Sequence, residues 1–128
     1  MQERIKNLNL EEMQNIISYW FVKTGLDNVQ TLFESFAKVE EETKEVYEEL
    51  NKFPVDKEAL GKELGDIIFS VYLVAIQSGV DIQSAMISQL DKQFKQYNPY
   101  KVNELIESGK GQKEALKEVK NKYLTKNV

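Results

Sequence analysis

Hydrophobic positions recur along this chain at helical spacing, and the strict alternation of a half-buried strand is missing. Asn9 with Glu12 forms a capping-box pattern that opens a first helix. Leu10, Met13, Ile16, Ile17, Trp20 and Phe21 fall on one side of it, and Gly25 ends it. Asp27-Asn28 opens a second helix, predicted from about Val29 to Lys52, with an apolar stripe of Leu32, Phe33, Phe36, Val39, Val46, Tyr47 and Leu50. Phe33 and Phe36 are expected in the core. Glu42, Glu45 and Glu49 share one flank of this stripe with Lys38, whereas Glu41 and Glu48 point to water. Phe53-Pro54-Val55 breaks the helix, and Asp56 caps a third, about Lys57 to Ser78.

The third helix presents Leu60, Leu64, Ile67, Ile68, Val71, Val74 and Ala75 on its main face, and beyond Asp66 it is apolar nearly all round. Such a helix is expected to be covered on every side. A chain this short has few helices to do so, which points to a dimer. Gly79 closes it, and Asp81 caps a fourth helix, about Ile82 to Tyr97, with Ala85, Met86, Ser88, Leu90 and Phe94 as packing candidates. After a turn at Asn98-Pro99-Tyr100 come a short helix at Val102–Ile106 and a last amphipathic one, about Gln112 to Leu124, carrying Ala115, Leu116, Val119 and Tyr123. The expected architecture is all-α: a bundle of four main helices plus a C-terminal helical extension. The 128 residues suit a single domain, with its core at about 10–97 and the extension at about 98–128.

Composition narrows the chemistry. There is no Cys and no His. Thiol nucleophiles, imidazole bases and Cys/His zinc sites are excluded. Lys plus Arg number 17 against 21 acids, a net charge of −4, which argues against general binding to nucleic acid. The N-terminal Met1–Lys6 stretch has no apolar signal region, and the longest apolar run is about half of the roughly 20 residues a bilayer needs. A cytoplasmic protein without membrane contact is expected.

The stretch from Glu41 to Asp66 carries the candidate chemistry. Residues three apart on a helix are neighbours, so Glu42 pairs with Glu45 and Glu63 with Asp66. The short loop between the two helices forces an antiparallel hairpin that sets the pairs at one level. Two unit charges about 4 Å apart repel by about 4 kcal/mol at an effective dielectric of about 20. A hard cation reverses that sign, and oxygen-only ligands suit Mg²⁺ or Mn²⁺. Taken alone, Glu40-Glu41-Glu42 reads as a solvated helix face. Glu63 and Asp66 do not, because Asp66 is a poor mid-helix residue standing at the threshold of an apolar segment.

Glu41-Glu42-x-x-Glu45, a spacer and Glu63-x-x-Asp66 together resemble the signature of the MazG-like all-α nucleoside triphosphate pyrophosphohydrolases. Glu63-Leu-Gly-Asp-Ile-Ile-Phe is similar to that family's E-L-G-D-hydrophobic segment, and Gly79-Val80-Asp81 and Phe94 also fit. The resemblance covers about residues 10 to 97. It implies a helical bundle that assembles as a homodimer or homotetramer. It implies Mg²⁺-dependent cleavage of a nucleoside triphosphate to the monophosphate and pyrophosphate. By position, Glu42, Glu45, Glu63 and Asp66 match the metal-binding and catalytic acids, with Glu45 the candidate acceptor of the water's proton.

Late in the fourth helix the chain departs from its relatives. Asp91 stands where they carry Asn, Gln93 where they carry Lys, and Tyr97 where they carry Arg. Phosphate-binding charge must then come from Lys38, Lys92 or Lys95. Each of these also reads as half of an exposed ion pair, Lys38 lying four residues before Glu42. Trp20 could stack on a base with Asn28 as hydrogen-bonding partner, or simply pack in the core. The rival to an enzyme is a helical interaction or regulatory module that has lost catalysis, motivated by the altered fourth helix and the basic tail from Lys110.

Overall fold

The computed structural model describes residues 7–126. The N-terminal stretch read above for a signal region lies outside the described residues, as do the last two positions of the expected domain. Among the described residues six α-helices follow one another: α1 (Leu10–Lys23), α2 (Leu32–Leu50), α3 (Lys57–Ser78), α4 (Ile82–Gln96), α5 (Pro99–Glu107) and α6 (Gln112–Lys126), with a 3-10 turn at Leu26–Asn28 after α1. No strand occurs among the described residues. The chain is all-α, as its periodicity predicts. No described helix is long and apolar enough to cross a membrane.

Caps set most of the helix boundaries. Asn9 accepts the Glu12 amide at 2.8 Å to start α1. Asp56 accepts the Glu58 and Ala59 amides, each at 3.1 Å, to start α3, and Gly79 ends it at φ 73°, where a side chain would be strained. Asn98 caps α5, whose Pro99 occupies the first turn. The predicted start of α2 is corrected. Asp27 and Asn28 belong to the 3-10 turn, and α2 begins at Leu32. Thr31 there accepts the Glu34 amide at 3.1 Å, while the Glu34 carboxylate accepts the Thr31 amide at 3.2 Å. This reciprocal pair satisfies two otherwise orphan donors, which the Asp27 position does not offer.

The chain divides into two compact units, one ending at Gln83 and one beginning at Ser84. In the first, α2 and α3 form a long helical hairpin and α1 packs on α3. Gln14 ties α1 to the turn after α3, donating to the Val80 carbonyl at 2.8 Å and accepting the Ile82 amide at 2.9 Å. The buried residues of this unit are Phe21, Ser35, Ser70, Tyr72, Leu73 and Ala75. In the second unit α5 and α6 pack around Val102, Ala115 and Val119, with Leu105, Ile106 and Leu116 alongside. The α4 packing candidates Ala85, Met86, Ser88, Leu90 and Phe94 are all exposed.

The face that α2 turns inward is not the aromatic one. Phe33 and Phe36 are 81% and 51% exposed, so their expected core role is corrected. Leu32, Ser35, Val39, Glu42, Val46 and Glu49 are buried or half-buried instead. Their spacing of three and four residues is that of one helix seam facing a single partner helix. On α3 the expected main face is turned in part. Of that face Ala75 is buried and Leu60, Ile67 and Val74 are half-buried, but Leu64, Ile68 and Val71 remain exposed, while Ser70, Tyr72 and Leu73 are buried in their place.

Candidate functional site

The seam between α2 and α3 carries more polar groups than a helix interface ordinarily does. At its open end, opposite the loop that joins the two helices, sits Ser35, fully buried. Its hydroxyl donates to the Gln77 carboxamide oxygen and accepts from Gln30 Nε2 at 2.9 Å, and Gln77 Nε2 donates to the Gln30 carbonyl at 2.8 Å. No buried side-chain polar atom of this small network is left without a partner, which offsets the cost of burying it. The network ties the start of α2 to the end of α3.

Farther along, the same seam brings acids together. Glu42, Glu45 and Glu63 each offer one carboxylate oxygen, and these oxygens all lie within 4.8 Å of one another. All three residues are half-buried. Glu42 Oε2 and Glu63 Oε2 are shielded from water without a hydrogen-bond partner. The Glu63 carboxyl is held above the usual carboxylate range, first by a hydrogen bond with Glu45, then by burial and by the charges of Glu45 and Asp66. A hydrogen bond with Glu42 pulls the other way. Carboxylate oxygens drawn together and shielded from water without partners form a donor set suited to a cation.

The donor set fits the expected metal. It contains only carboxylate oxygens, the choice of Mg²⁺ and Mn²⁺ over zinc. Asp66, predicted as the fourth ligand, is exposed and stands outside the three-oxygen group, although its charge still acts on Glu63. Glu41 and Glu48 face solvent, as their helical angles predict.

Glu49 is an acid that the predicted ligand set omits. Its Oε2 is also buried and unpartnered, and its Oε1 accepts from Lys52 at 2.8 Å. The signal was present, since Glu49 follows Glu45 by four residues and Glu42 by seven and thus repeats the inward seam.

The remaining predicted residues are scattered. Lys38 is exposed on α2 and makes no ion pair among the described residues, so the expected pairing with Glu42 does not form. Lys92 and Lys95 are exposed on α4, and Lys95 pairs with Asp91 at 2.8 Å. Trp20 and Phe69 meet in a T-shaped contact with ring centroids 5.3 Å apart, and Trp20 stays 41% exposed. Asn28 lines a recess of about 500 Å³ with Phe21, Leu32 and Gln77, and Trp20 is not among its walls.

A family model described as the MazG nucleotide pyrophosphohydrolase domain matches residues 30–98, more than half of the chain. The chain belongs to the MazG family. The match takes in Glu42, Glu45, Glu63 and Asp66 together with the three lysines, and it begins beyond Trp20 and Asn28. Searches of curated proteins and of solved structures return no match. MazG membership agrees with the all-α hairpin, and the acid cluster lies wholly within the matched segment.

Proposed function

We propose that the chain is a Mg²⁺-dependent pyrophosphohydrolase that cleaves a nucleoside or deoxynucleoside triphosphate to the monophosphate and pyrophosphate. The observation that carries this reading is the convergence of Glu42, Glu45 and Glu63 from two helices within 4.8 Å. Glu42, Glu45 and Glu63 would hold Mg²⁺ or Mn²⁺, with Asp66 swinging in from its exposed position at the rim. When bound, the cation neutralises phosphate charge and lowers the pKa of an attacking water. Water adds to the α-phosphorus, the bond from that phosphorus to the α–β bridging oxygen breaks, and pyrophosphate departs. Glu45 receives the water's proton. Lys38 supplies positive charge to the phosphates, and Trp20 with Asn28 is the candidate platform for the base. Residues of about 10–97 form the catalytic core in this reading, and about 98–128 form an extension.

A homodimer or homotetramer is part of the proposal. Phe33 and Phe36 on α2 and Leu64, Ile68 and Val71 on α3 are exposed in the single chain. Exposed large apolar side chains such as these suit a surface that a partner covers. A second copy would cover these residues and would give α3 the all-round burial that its sequence calls for.

The test is pyrophosphate release across a panel of nucleotides, with and without Mg²⁺. Metal-dependent release from at least one of them is expected. A folded protein that turns over none, even with the panel widened to phosphoribosyl-ATP, would leave only a helical module without catalysis.

A further inference from the structure

Charge is distributed unevenly along this chain. The unit from Ser84 onward carries nine lysines against five acids, whereas the rest carries eight basic residues against sixteen acids. Four of these nine lysines gather around one place. Between the end of α4, the start of α5 and the outer half of α6 lies a cleft of about 630 Å³, ringed by Lys95, Lys101, Lys122 and Lys126. Glu104 is its single acid. Sites for small molecules run to about 300–1,000 Å³.

The lysines are available to a ligand. Lys101 and Lys126 make no ion pair among the described residues. Lys122 is 73% exposed and only 3.5 Å from Glu118, a pair of the kind that contributes little and yields readily. The floor has a different character. Val119 is buried, Leu105 is half-buried, and Tyr123 joins them in the wall. Cationic rim over apolar floor matches a ligand that has an anionic end and a flat or apolar body. Lysine, as a compact point charge, suits phosphate.

We propose that this cleft binds an organic phosphate of at least two negative charges, with its phosphate on Lys101, Lys122 and Lys126 and its organic body over Leu105 and Val119. No residue of the acid cluster takes part, and the proposal stands whether or not the chain hydrolyses nucleotides.

The test is calorimetric titration of the full chain with adenosine triphosphate in excess chelator. Removing divalent metal leaves the acid cluster repelling phosphate, so binding then reports the lysines. The Lys101→Ala/Lys126→Ala variant is expected to bind about tenfold more weakly or worse, a loss of about 1.4 kcal/mol. Lys57→Ala, on the first unit, is expected to bind as the parent does, and Lys101→Arg/Lys126→Arg is expected to retain binding. Inorganic tripolyphosphate is expected to bind less tightly than adenosine triphosphate because it lacks a body for the floor. Absence of binding to the parent, equal affinity in the double alanine variant, loss of binding in the arginine pair, or an equal loss in Lys57→Ala would overturn the site. Equal affinity for tripolyphosphate would overturn the assignment of an organic ligand.

Discussion

Glu45 on α2 and Glu63 on α3 bring carboxylate oxygens within 4.8 Å of each other across the hairpin, and Glu45 is the first cause that raises the Glu63 carboxyl above its ordinary range. Two acids on different helices meet in this way because the antiparallel hairpin of α2 and α3 sets them at one level. The contact has consequences for pH, metal and stability that can be measured separately.

The folded chain binds the Glu63 proton more tightly than the unfolded chain does. This group's contribution to stability is therefore complete below its ordinary value of 4.5 and is lost as pH rises through the raised value. Glu63→Gln keeps the neutral form at every pH. Without metal, the melting temperature of the parent is expected to fall relative to that of Glu63→Gln as pH rises through this window. Parallel melting curves for the two proteins would show that no proton is held there.

A divalent cation takes the place of that proton, so apparent affinity for Mg²⁺ or Mn²⁺ is expected to rise over the same pH window. At 100 times the dissociation constant, binding stabilises the fold by about 2.7 kcal/mol. The parent is expected to show the corresponding rise in melting temperature, and Glu63→Gln to show none. A parent indifferent to both ions would remove the cation site.

Catalytic loss is expected to follow proximity to the cluster. Glu42→Gln, Glu45→Gln and Glu63→Gln are each expected to lower pyrophosphate release by about a hundredfold or more. Asp66→Asn is expected to lose less, because Asp66 lies outside the three-oxygen group. Initial rates at saturating Mg²⁺ decide this. A larger loss for Asp66 than for Glu42 would place the working centre nearer the rim.

Ser35→Ala removes a hydroxyl that serves both Gln77 and Gln30, leaving buried amide groups without partners. A loss of about 1–3 kcal/mol is expected from denaturant unfolding. Metal affinity should weaken with it if the network sets the register of the acids. A destabilised variant with unchanged metal affinity would separate the two roles.

Ile68→Glu places a charge in the exposed α3 stripe. Light scattering is expected to show the parent as a dimer or tetramer and the variant as a smaller species. A monomeric parent would leave that stripe for some other partner.

Local chemistry settled much of this protein before any folding was considered. Asn9 and Asp56 start α1 and α3, Gly79 stops α3, and Glu63-Leu-Gly-Asp in its helical context marks the MazG family, because caps and motifs are written in contiguous residues. The inward side of α2 was not written that way. Phe33 and Phe36 have the greater hydrophobicity, yet Ser35, Glu42 and Glu49 face α3, since which stripe is buried depends on where the partner helix lies and on which polar groups find partners there. The same holds for the apartness of Asp66 from the three glutamates and for the lysine-ringed cleft. Both are distances between residues that the chain order leaves free, and only packing in three dimensions assigns them.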